Sequence, residues 1–75
     1  MIFERLKTHI IELAGVEADE ISLESYFTDD LGFDDLDMIE LIIDAEEEFD
    51  IEIDADGPDF NTVGDMVQYI KDQLG

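Results

Sequence analysis

The chain has no cysteine and no tryptophan, one proline, one histidine, and only three Lys and Arg among its 75 residues. Without cysteine there is no disulfide, thiolate metal site or cysteine nucleophile, and His9 alone cannot build a histidine-rich metal centre. The shortage of bases matters most, because 23 Asp and Glu then leave a formal net charge of −20. Such a charge repels nucleic-acid phosphates and anionic lipid surfaces, leaving basic protein surfaces and cations as partners. No apolar run approaches the roughly 20 residues of a membrane span. Glu4, Arg5 and Lys7 follow Met1-Ile2-Phe3 too closely for a signal peptide, so a cytoplasmic location is expected. A chain this short forms one domain, residues 1–75, and buries only about 60–65% of the surface it exposes when unfolded, too little for a deep catalytic cleft. Hydrophobic residues still make up 45% of it, so the acids decorate a packed structure and not a disordered tail.

The charge is concentrated. From Asp29 to Asp59 there are 15 acids and no base. Around this segment the apolar pattern is helical. Phe3, Leu6, Ile10 and Leu13 recur at spacings of three and four, predicting a helix over about residues 2–14 that Gly15 can end in a left-handed cap. Residues 16–34 break the period, yet they contain Ile21, Leu23, Tyr26, Phe27, Leu31 and Phe33, so this long loop is expected to pack on the helices. A second helix is predicted from Asp34 or Asp35 to Phe49, opened by a carboxylate that accepts free backbone N–H groups. Val63, Met66, Val67, Ile70 and Leu74 form a last stripe, with Thr62 and Asp65 spaced as a capping box. Gly57-Pro58 limits residues 54–61 to one short helical turn.

The second helix is the most informative. At about 100° per residue, Met38, Ile42, Ala45 and Phe49 fall within roughly 60° of one another, a core stripe with Leu41 at its margin. Leu36, Ile39 and Ile43 form another stripe about 120° away. Glu40 and Glu47 run along one side of it, with Glu46 and Asp50 beside or within it. An apolar strip rimmed by carboxylates suits a partner with an apolar groove ringed by Arg or Lys. The competing reading packs Leu36, Ile39 and Ile43 under the loop and leaves the acids as a solvated face.

Asp30-Leu31-Gly32-Phe33-Asp34-Asp35-Leu36-Asp37, then Glu40-Leu41 and Glu46-Glu47-Glu48-Phe49-Asp50-Ile51-Glu52-Ile53, closely resemble an acyl carrier protein of the type that serves fatty-acid synthesis. The likeness spans essentially the whole chain, including Phe27, Thr62-Val63 and Tyr69-Ile70. It implies an all-α fold, a small four-helix bundle with a long apolar loop between helices 1 and 2 and a short third helix. It also implies a non-enzymatic carrier whose acidic second helix docks on basic surfaces of fatty-acid or polyketide synthase enzymes and of a phosphopantetheinyl transferase. Asp34, Leu36, Asp37, Ile39, Glu40, Ile43, Glu46 and Glu47 occupy that docking surface, and the chain is expected to be a monomer.

One departure separates the sequence from that pattern. The family's attachment motif is Asp-Ser-Leu, whose serine receives 4′-phosphopantetheine from coenzyme A, and here the triplet is Asp34-Asp35-Leu36. A serine oxygen forms a stable phosphodiester, whereas an aspartate oxygen would form a mixed anhydride prone to hydrolysis. The cofactor is therefore expected to be absent. Asp35 can act simply as a favourable helix-start residue, as a partial mimic of the phosphodiester's charge, or as a lock on the uncharged carrier. The alternative function is an interaction or regulatory module that uses the same acidic face without cargo.

A calcium site is the third possibility. Glu52, Asp54, Asp56 and Gly57 match positions 1, 3, 5 and 6 of an EF-hand loop, but position 12, which should be a bidentate Glu, falls on Val63. Weak, delocalised binding of divalent cations is expected in place of a dedicated metal site. His9 reads as a surface or half-buried residue, and Met38 and Met66 as core fillers. By the resemblance, Gly57-Pro58 and a segment from Ile53 to Val63 about one residue short put the third helix and any adjoining acyl-chain cavity in question.

Overall fold

The computed structural model describes residues 1–53 and 59–75. Among the described residues there are three α-helices, α1 (Ile2–Ala14), α2 (Asp35–Phe49) and α3 (Val63–Leu74), and a 3₁₀ turn at Ala18–Glu20. Among the described residues there is no strand, only an isolated antiparallel bridge between Tyr26 and Thr62. The short helical turn expected within 54–61 falls on residues 54–58, which lie outside the described residues, while residues 59–61 are not helical.

In α1, Leu6 and Ile10 are fully buried and Phe3 and Leu13 flank them half-buried. Gly15 ends the helix at φ 71°, its N–H donating to the Ile11 carbonyl at 2.9 Å. The left-handed turn suits a residue without Cβ.

Residues 16–34 are held to the start of α3 by a set of backbone hydrogen bonds. The Phe27 N–H donates to the Asn61 carbonyl (3.0 Å), Val63 N–H to Ser25 (3.0 Å) and Gly64 N–H to Leu23 (2.8 Å). A helix begins with N–H groups that have no partner within it, and here the loop supplies the acceptors. Thr62 Oγ1 takes the Asp65 N–H at 3.2 Å, and Asp65 Oδ2 returns to the Thr62 N–H at 3.1 Å, completing the capping box. Side chains alternate across this extended stretch. Ser25 and Phe27 therefore turn inward and are buried, while Tyr26 between them is exposed, and Leu23 is exposed as well. Ile21, Leu31 and Phe33 are buried as well. Leu74, assigned to the core stripe of α3, is also exposed, because the last turn runs past the buried α3 residues Val63, Met66 and Ile70.

The loop also sets where α2 begins. The Asp30 and Leu31 N–H groups donate to the Tyr26 carbonyl, and the Phe33 N–H donates to the Phe27 carbonyl at 2.8 Å. The Phe27 and Phe33 rings pack with centroids 5.4 Å apart. The chain thus reaches Asp34 already anchored. Along α2 the fully buried positions are Leu41 and Ala45, with Phe49 next, while Met38 and Ile42 are half-buried. Leu41, placed at the margin of the core stripe by the helical wheel, is fully buried, and Ala45 marks the centre of the buried arc. The buried face is turned about 30° from the expected one, away from Leu36, Ile39 and Ile43.

Helices α1 and α2 are joined by an ionic cluster as well as by packing. His9 Nε2 lies 2.9 Å from Glu48 Oε1 and its Nδ1 lies 3.8 Å from Asp44 Oδ2. Arg5 donates from Nε to Glu48 Oε2 at 2.9 Å, pairs with the same oxygen through Nη2, and packs over the Phe49 ring. The hydrogen bonds from His9 and then Arg5 hold the Glu48 carboxyl below its ordinary value of 4.5.

Two outcomes follow for stability. A Cβ built on Gly64 would come within 2.9 Å of the Leu23 carbonyl oxygen. Alanine in a helix interior ordinarily gains about 1 kcal/mol over glycine, but here it forces apart the contact that seats the loop, at a cost of about 1–3 kcal/mol. Gly64→Ala is expected to lower the urea midpoint, and an unchanged or raised midpoint would contradict this packing. Because the Glu48 carboxyl is lowered on folding, its contribution is complete above about pH 4.5 and fades as the pH falls through the folded value. The stability difference between the native chain and Glu48→Gln should therefore shrink on acidification from pH 6 to pH 3, measured by urea unfolding at each pH.

Candidate docking face and cofactor position

The N-terminus of α2 is a reciprocal cap built from two aspartates. Asp34 is the N-cap, its Oδ1 accepting the Asp37 N–H at 2.9 Å, and Asp37 Oδ2 reaches back to the Asp34 N–H at 3.3 Å. Asp35 is the first residue of the helix proper and its side chain is exposed. Three carboxylates thus crowd the positive end of the helix dipole, the place where negative charge is most favourable. The two possible starting residues resolve into separate jobs, with Asp34 capping and Asp35 left facing solvent. The Asp37 cap was open to detection from its three-residue spacing to Asp34, since Asp there takes the place of the usual Glu.

From this cap, Leu36, Ile39 and Ile43 project outward and are 62%, 54% and 48% exposed. They do not pack under the loop, which rests instead on the start of α3. Ile39, Ile42, Ile43, Glu46 and Ile53 line a groove of about 280 Å³ beside this strip. Glu40 and Glu47 are exposed along the strip. Glu46 is more constrained: its Oε2 accepts the Ile53 N–H at 2.8 Å, and its backbone carbonyl accepts the N–H groups of Asp50 and Ile51. It therefore anchors the exit of α2 while bordering the groove. No spacing rule signals a bond of this kind, which depends on how the chain returns after the helix. The return passes through Asp50 at φ 54°, a left-handed conformation for which Asp is among the better tolerated residues.

The acids of α2 divide by face. Asp44 and Glu48 meet His9 and Arg5 of α1. Among the described residues, Asp34, Asp35, Asp37, Glu40, Glu46 and Glu47 form no ion pair, so the exposed strip lies in an uncompensated negative field. Of the remaining cations, Lys7 pairs with Glu4 on α1. Among the described residues no group of His, Cys, Asp or Glu is arranged to hold a metal ion, and of the EF-hand-like set Asp54, Asp56 and Gly57 lie outside the described residues. Among the described residues no helix is long and apolar enough to cross a membrane.

The family described as phosphopantetheine attachment site matches residues 4–70, a span that includes Asp35. The acyl carrier protein of Clostridium acetobutylicum is 51% identical over 72 residues, covering 95% of this chain and 94% of its own. An acyl carrier protein of Clostridium perfringens is 50% identical over 72 residues, covering 95% of each chain. With the helical fold, the capped acidic α2 and a likeness of this extent end to end, the chain belongs to the acyl carrier proteins, a family of carriers and not of enzymes.

Proposed function

We propose that this protein serves fatty-acid or related polyketide-type biosynthesis in the cytoplasm, by docking through α2 on basic surfaces of the synthase enzymes. The observation that carries the reading is the strip of Leu36, Ile39 and Ile43, about half exposed or more, beside Glu40 and Glu47 with no cation to neutralise it among the described residues. Burial of the strip would supply affinity, while the carboxylates would steer the approach and fix register. Asp34, Asp37 and Glu46 contribute negative field while also holding the two ends of the helix. The protein acts as a monomer, with divalent cations bound only weakly along its acidic face.

The residues at the start of α2 do not fit the family's cofactor. Attachment of 4′-phosphopantetheine needs a hydroxyl oxygen, and position 35 offers a carboxylate. Neither remaining serine substitutes for it: Ser25 is buried, its Oγ accepting the Ser22 N–H at 3.0 Å, and both lie in the loop before α2. The chain as written therefore carries no pantetheine arm. What remains is presentation of a docking face without cargo, and the second reading is an interaction module that acts as competitor or regulator of carrier-dependent enzymes.

Intact-mass measurement after incubation with coenzyme A and a broad-specificity phosphopantetheinyl transferase should give no adduct on the native chain, and an adduct would overturn the absence of the arm. Asp35→Ser removes one carboxylate from the helix start at a cost of only about 0.3–1 kcal/mol. Modification and acyl loading of that variant would mark a disabled carrier, whereas a folded but unmodified variant would mark a surface diverged for another task.

Docking has its own measurement. Glu40→Lys combined with Glu47→Lys should weaken binding to a ketoacyl synthase several-fold or more at low ionic strength, mainly through slower association, and should flatten the salt dependence. Equal binding by native and variant chains would exclude this face as the docking surface.

A further inference from the structure

A second apolar groove lies between the first turn of α1, the loop and α3. Met1, Ile2, Phe3, Leu23, Val67 and Lys71 line a volume of about 490 Å³. Lys71 is one of only three Lys and Arg residues in the chain and, among the described residues, the one charged side chain lining this groove. A second base stands at its edge. Lys7 Nζ is 4.9 Å from the centroid of the Phe3 ring and 2.9 Å from Glu4 Oε2, so its charge is largely balanced and Lys71 sets the local sign. The groove beside α2 has the reverse arrangement, four isoleucines with Glu46 at the rim. The two apolar grooves of one strongly acidic domain therefore carry opposite charges.

An open apolar trough with an ammonium at its edge complements an amphiphile that has one alkyl chain and one negative head. The chain would cover Phe3, Leu23 and Val67, and the head would accept a charge-assisted hydrogen bond from Lys71. A protein partner needs an interface of about 1,000 Å² or more, well beyond a groove of six residues. An anionic bilayer would meet the repulsion of the whole −20 charge, whereas a single carboxylate responds chiefly to the field within a Debye length of about 8–10 Å. We propose that this groove binds a straight-chain alkyl carboxylate, with the chain along Phe3, Leu23 and Val67 and the carboxylate at Lys71. The site is separate from the α2 strip and does not depend on its docking role.

Titration of the ¹⁵N-labelled full chain with octanoate, decanoate and octanol, each below self-association, tests this directly. Octanoate should give saturable shifts at the amides of Ile2, Phe3, Leu23, Val67 and Lys71, and each added methylene should raise affinity roughly two- to fourfold. Lys71→Gln should weaken octanoate several-fold and leave octanol unchanged, and Leu23→Glu should weaken both ligands. Both positions are exposed, so neither change threatens the fold. Shifts centred on Ile39, Ile43 and Ile53, or equal octanoate binding by native and Lys71→Gln chains, would overturn the proposal. So would a response confined to phosphatidylglycerol vesicles with none to free carboxylate, which would make this face a membrane contact.

Discussion

The structure depends on the joint between the loop and the first turn of α3. Three helices of 12 to 15 residues with short hydrophobic faces are marginal in isolation. What orders them is a long connection whose carbonyls at Leu23 and Ser25 complete the free end of α3, and whose Phe27 and Phe33 carry the chain inward to the start of α2. Every residue of the exposed α2 strip is counted from that starting point. A shift of one residue in the loop would rotate the presented face by about 100°.

Much of this was legible in the sequence, for identifiable reasons. Helix α1 ends where Gly15 says it should, because a left-handed cap is a local requirement with one preferred residue. The Thr62 cap and the acidic start of α2 are likewise local signals. The exposed strip was visible in the pattern, but its exposure was not, since Leu36, Ile39 and Ile43 could equally have been covered by the loop. That choice is tertiary: the loop is committed to α3 by backbone hydrogen bonds that leave no trace in residue type. Leu41 shows the same limit, because hydropathy on a wheel locates an apolar arc while the neighbouring helices decide its centre. The inward and outward alternation of Ser25, Tyr26 and Phe27 became readable only once the stretch was known to be extended.

In the proposed reading, the aspartate at position 35 is a chemically large and structurally small departure. A first-turn aspartate suits a helix start as well as serine does, so nothing in the fold opposes it. Scaffold and chemistry are separable at this position. The same separation appears in the distribution of charge. Arg5 and His9 are spent on Glu48 and Asp44 in holding α1 to α2, Lys7 pairs with Glu4 within α1, and Lys71 lines an apolar groove.

The bonds from Leu23 and Ser25 to Gly64 and Val63 join points separated by about half the chain. Contacts that distant in sequence are entropically costly to close and form late or slowly compared with helix turns, which assemble in microseconds or less. The helices can flicker into being early, but the exposed strip of α2 acquires its orientation only when the most remote contacts lock. Presentation of that strip is therefore tied to completion of folding, and a partially folded chain would carry the same acids with no ordered surface on which to present them.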